Sequence, residues 1–113
     1  MPEPAIQSDL YGDVLCVTLP ETVTMEYTAA LSEYFGKCKA RGFVRLVLNM
    51  REAYISSAFI SMLIGVLYDF EEAHGGIRVV AGLDSKPLMI LGQLGVAQAL
   101  SVHDSVEKAI ASF

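Results

Sequence analysis

Two adjacent hydroxyls, Ser56 and Ser57, stand where a strand-like apolar run gives way to a helix-like one. A serine in that position can accept hydrogen bonds from the backbone N–H groups that a helix leaves unpaired in its first turn. The same place suits an anion, because those N–H groups and the positive end of the helix dipole point the same way. Function is therefore expected to concentrate at Ser56 and Ser57. The other reactive residue types offer less. Cys16 and Cys38 are not spaced as a CxxC pair, and each falls on an apolar face, as buried thiols do. His74 and His103 lie near a helix end and a strand end, with no Cys, His or carboxylate cluster around them, so no metal or cofactor is expected. No Walker loop, GxSxG or HExxH motif occurs, and no nucleophile–base or paired-carboxylate set can be assembled, so an enzyme is not expected.

The elements around the serines follow from periodicity. Val44, Leu46, Val47 and Leu48 make a buried strand within Phe43 to Asn49. Ile60, Leu63, Ile64, Leu67 and Phe70 recur every three or four residues and predict a helix that stops at Gly75-Gly76, glycine tolerating the left-handed conformation found at helix ends. Ser57, Ser61 and Gly65 form a column of small residues on that helix that allows close approach of the sheet or of a partner helix, with sheet packing the preferred reading. Upstream, Ala5 to Ser8 is a short edge-strand candidate, Leu10 to Asp13 a turn, and Val14 to Leu19 a second strand. Thr22 or Thr24 can cap the next helix, whose stripe is Tyr27, Ala30, Leu31, Tyr34, Phe35 and Cys38, with Gly42 as the stop. Downstream, Ile77 to Ala81 is a strand. A short helix then starts at Asp84-Ser85-Lys86-Pro87 and stops at Gly95. A brief strand at Ala99 to Val102 leads to a last helix, Ser105 to Ser112, opened by Asp104 with Glu107 as a capping-box-like pair. The order is β-β-α-β-α-β-α-β-α. It predicts an α/β fold: an initial hairpin, then mainly parallel strands, in a mixed sheet of four or five strands with about four helices.

Composition bounds the rest. A chain of 113 residues fits one domain, 1–113, and at 53% hydrophobic it can build a core. The longest apolar run, Ala58 to Tyr68, contains Ser61 and ends at Asp69, short of the roughly 18 residues that span a bilayer. The polar, acidic start MPEPAIQSD carries no secretory signal, so cytoplasmic residence is the expectation. Net charge is −5 and the basic residues form no face, which argues against nucleic-acid binding. Lys37, Lys39 and Arg41 do cluster, but at a helix C-terminus whose dipole accounts for them.

With those elements in order, the VLNM strand, the YISSAF stretch and the final VHDSVEKAI make the chain resemble the STAS domain, and more narrowly the stand-alone bacterial anti-sigma factor antagonists. The similarity runs from about Ala5 to Ile110. In that family the loop reads as a hydrophobic residue followed by Asp-Ser-Ser/Thr-Gly-Leu, and the serine after the aspartate is phosphorylated by the partner anti-sigma kinase. Laid on this chain, Ile55 matches the hydrophobic residue, Ser56 the aspartate, Ser57 the phosphoacceptor, Ala58 the second hydroxyl and Phe59 the glycine. Ile60 matches the leucine, and Ser61 the glycine that often follows. A register shifted by one makes Ser56 the acceptor instead. The family's acidic residue at the start of the first helix has no match; Val23 and Thr24 stand near it.

The resemblance implies a regulatory protein-interaction domain that binds an anti-sigma factor or serine kinase and is switched by phosphorylation at Ser57. Its partner-binding residues on that basis are Thr22, Thr24, Ser56, Ser57, Phe59 and Ser61. Phe59 also reads as plain core. The missing aspartate and glycine fit an alternative, an unphosphorylated STAS adaptor of a lipid-transport ATPase or a signalling assembly. A small-ligand or nucleotide-sensing module is the third reading, and homodimerisation stays open.

Overall fold

The computed structural model describes residues 5–82, 84–95 and 99–113. Among these residues nine elements follow in the expected order: β1 (Gln7–Tyr11), β2 (Val14–Thr18), α1 (Met25–Ala40), β3 (Arg45–Asn49), α2 (Ser57–Glu72), β4 (Gly76–Val80), α3 (Lys86–Gln93), β5 (Val102–His103) and α4 (Val106–Ala111). The five strands form one mixed sheet in sequence order; β1 pairs antiparallel with β2, and all later pairs are parallel.

That simple order decides the layering. Crossovers between parallel neighbours share one hand, so successive neighbours place their connecting helices on the same side. Accordingly Leu31 and Phe35 of α1, Phe59, Leu63 and Phe70 of α2, and Leu91 of α3 share one core with Leu15, Val17, Leu46, Leu48, Ile77 and Val79. Phe35 and Phe70 meet edge to face there, 6.3 Å between centroids. The alternate residues of the strands, Val14, Cys16, Val47 and Val80, point to the other side, where Ala109 of α4 is buried against them. Arg78 helps to anchor this cover: its Nε donates to Ser112 Oγ at 2.8 Å, and its guanidinium lies 4.3 Å from the centre of the Phe113 ring. Both thiols are buried, as expected, one under each layer.

Several boundaries differ from expectation for identifiable reasons. The first strand runs to Tyr11, and the turn shrinks to Gly12-Asp13, where Gly12 takes φ +64°. At the end of α2 the left-handed residue is His74 (φ +65°), not a glycine. Gly75 is needed for another reason: a Cβ there would collide with the backbone of Val44. The α4 cap is Ser105, whose Oγ accepts from Lys108 N at 3.2 Å, while Asp104 pairs with the Lys108 ammonium at 2.9 Å instead of forming a capping box. The fifth strand is Val102–His103, with 99–101 in a turn, so it starts three residues later than the sequence suggested.

Candidate functional site

The site lies at the rim where the parallel strands end and the crossover helices begin. The segments leaving β2 and β3 are stitched together there. Tyr54 N donates to Glu21 O at 2.9 Å, Val23 N donates to Tyr54 O at 3.0 Å, and Thr22 and Tyr54 form an isolated parallel bridge. Buried Val23 and Ile55 pin the two segments to the core. This short extension of the sheet fixes where α1 and α2 start, so their N-termini open side by side.

Each start is capped by a hydroxyl. Thr24, and not Thr22, caps α1, with Oγ1 accepting from Tyr27 N at 3.1 Å. Ser56 caps α2 from an extended backbone, with Oγ accepting from Phe59 N at 3.2 Å. The two serines therefore divide the work. Ser56 is committed to the backbone, whereas Ser57, the first residue of α2, is exposed and its hydroxyl makes no hydrogen bond among the described residues. The first turn of α1 carries Glu26; that of α2 carries no acidic residue. The dipole at Ser57 is accordingly left without a neutralising charge on its own helix.

Phe59 is 0% exposed and sits in the main core. It is a core residue, which removes it from the partner-binding set. The small-residue column is also turned the other way from expectation: Ser57, Ser61 and Gly65 all face solvent, and a Cβ on Gly65 would meet nothing within 4 Å. The sheet is met instead by Phe59, Ile60, Leu63, Leu67 and Phe70. Thr22, Thr24, Ser56 and Ser57 come together at the rim, and Ser61 lies one turn along the exposed side of α2.

Between the two helix starts runs a groove of about 210 Å³ that the sequence did not reveal, lined by Met25, Ala29, Ala58 and Met62 with Ser32 and Ser56. Met25 is 82% exposed at its edge. The available signal was slight: Met25 is an apolar residue lying just ahead of the α1 stripe that begins at Tyr27. Beyond the stitched loop, Glu21, Arg51 and Glu52 line a second cavity of about 340 Å³ with Leu19 and Pro20. Arg51 holds φ +51° there. Among the described residues, no group of three or more His, Cys, Asp or Glu could hold a metal ion, and no helix is long and apolar enough to cross a membrane. Among the described residues the site presents an exposed, unengaged hydroxyl at Ser57, as it does at Thr22 and Ser61, with an apolar groove nearby and a helix start that carries no acidic residue in its first turn.

No protein-family model and no curated protein matches the sequence. Solved structures do match. An anti-sigma factor antagonist from Mycobacterium paratuberculosis is 16% identical over 99% of this chain and 96% of its own, at a TM-score of 0.81. The Bacillus cell fate determinant SpoIIAA, in its phosphorylated form, is 14% identical over 96% of this chain and 98% of its own, at 0.72. An anti-sigma-factor antagonist (STAS) domain protein from Planctomyces limnophilus is 10% identical over 95% of this chain and 96% of its own, at 0.73. The chain has the STAS-domain fold, as the element order led us to expect.

Proposed function

We propose that this chain is a regulatory binding domain, an anti-sigma factor antagonist, and that phosphorylation of Ser57 by the partner's serine kinase switches its binding off. The observation that carries the reading is the division of labour at the start of α2: Ser56 holds the cap, and Ser57 offers an exposed hydroxyl beside an apolar groove. The likeness to a phosphorylated SpoIIAA supports it. In the unmodified state the partner covers the rim around Thr22, Thr24, Ser56, Ser57 and Ser61, and it places an apolar side chain between Met25 and Met62. Transfer of a phosphoryl group to Ser57 adds about −1.5 to −2 charges. At a helix start with no acidic residue in its own first turn that charge favours the helix by about 0.3–1 kcal/mol, so the domain stays folded. A partner docking on the groove must then strip water from the phosphate, and that cost opposes association. The reaction belongs to the kinase; in this reading the chain is its substrate and supplies only the accepting oxygen.

Phosphosite mapping by mass spectrometry on the protein isolated from its own host, across growth and stress conditions, tests the proposal. A phosphate on Ser57 whose occupancy tracks loss of the co-isolating partner supports it. Its absence throughout, with a partner that stays bound, sinks the switch. That outcome points to the adaptor reading, which the serine in place of the family's aspartate favours, and in which the same groove docks a partner permanently.

A further inference from the structure

A second groove lies at the opposite end of α1 from the serines, where the β1–β2 hairpin, the last turn of α1 and Phe43 meet around about 270 Å³. Its walls are hydrocarbon: Leu10, Leu15 and Phe43, with the Tyr34 ring and the Cys38 thiol. Leu10 is 54% exposed although it shares a sheet face with buried Leu15. The polar atom of the wall is already engaged, since the Tyr34 hydroxyl and Ser8 Oγ are 2.9 Å apart. The rim, by contrast, is cationic, formed by Lys37 and Arg41. Arg41 has no ion pair among the described residues, and Lys37 reaches only the exposed Glu33 at 3.5 Å, a contact easily exchanged. The helix dipole accounts for basic residues in this turn, but not for a hydrocarbon trough beneath two of them, in a chain whose net charge is −5.

An apolar trough rejects a simple anion, and a cationic rim rejects an alkylammonium. Both features together fit a hydrocarbon chain ending in a carboxylate, which the planar fork of an arginine can hold through two parallel hydrogen bonds. The volume lies below the roughly 300–1,000 Å³ typical of drug-sized ligands, so the site suits one short chain and not a two-chain lipid. We propose that this groove binds a medium-chain fatty acid, with its tail against Leu10, Leu15 and Phe43 and its carboxylate on Arg41 and Lys37. The site is independent of the serine switch and stands or falls separately from it.

The test is a titration of the isotopically labelled chain by two-dimensional NMR with sodium decanoate below its micelle onset, beside decanol, decyltrimethylammonium and acetate. We expect saturable shifts from decanoate centred on Leu10, Leu15, Arg41 and Phe43, and none from acetate. In a Lys37→Gln/Arg41→Gln double variant decanoate weakens by about fivefold or more, the size of one well-placed exposed ion pair, while decanol is unchanged. Four outcomes overturn the proposal. They are no saturable response to decanoate, equal binding of decyltrimethylammonium, an affinity indifferent to the double variant, and shifts at the same residues on diluting the protein alone. The last would mean that a second copy of the chain fills the groove.

Discussion

Replacing each serine of the pair by alanine separates two roles that the sequence presents as one. Ser56 has an extended backbone (φ −107°, ψ 166°), and its Oγ accepts from Phe59 N at 3.2 Å, so Ser56→Ala strands one N–H of the first turn of α2. Losing such a cap costs about 1 kcal/mol. Ser57 is the first residue of the helix, is exposed and makes no hydrogen bond among the described residues. Ser57→Ala therefore loses no hydrogen bond and, at an exposed first helical position, should leave stability within about 0.5 kcal/mol of the parent. For a domain of this size the first variant should melt about 4 °C lower and the second within about 2 °C of the parent. Paired thermal and guanidinium unfolding of the two variants and the parent reads the difference directly. In a binding assay the proposed switch reverses the order of importance: Ser57→Ala should bind the partner and resist modification, and Ser57→Asp should bind weakly. If Ser57→Ala is destabilised as much as Ser56→Ala, the capping register is off by one. The separation of cap from switch would then collapse.

Two glycines should respond oppositely to alanine. Gly65→Ala, in an exposed helix interior with open space around it, raises stability by about 0.5–1 kcal/mol, whereas Gly75→Ala drives a Cβ into the Val44 backbone and lowers it by about 1–3 kcal/mol; chemical denaturation measures both. Tyr27 is 3% exposed and its hydroxyl has no partner among the described residues, so Tyr27→Phe should be neutral or stabilising by up to about 2 kcal/mol. A clear loss of stability in that variant would show the hydroxyl to be bonded. Burial raises the Cys16 and Cys38 thiols above their ordinary range, so on alkaline titration they ionise in the unfolded chain before the folded one. Unfolding then releases protons, and stability should fall as pH rises through and above the usual thiol range, as urea midpoints at stepped pH will show. Substituting both thiols by alanine should flatten that slope.

The long helices were legible because burial imposes the same demand every third or fourth residue, and Tyr27, Leu31, Phe35 and Cys38 meet it without interruption. The first strand was misplaced because all five of its residues are exposed, leaving no alternation to read. The α4 cap slipped by one because Asp104 and Ser105 are both good capping types, and only geometry chooses between them. The outward turn of Ser57, Ser61 and Gly65 could have been read: counted along a helix, they fall across from Phe59, Leu63, Leu67 and Phe70. The methionine groove could not, since it exists only once the Thr22–Tyr54 bridge sets α1 beside α2.

The strand order leaves a molecule with a thick side and a thin one. Three helices insulate one surface of the sheet, and a six-residue helix with one ring and one guanidinium closes the other. A helix that short has little tendency to form once detached. A protease nick between His103 and Asp104 would therefore unroof Val14, Cys16, Val47 and Val80 together. The nicked molecule would clump through that bared patch while its serine rim was still correctly shaped.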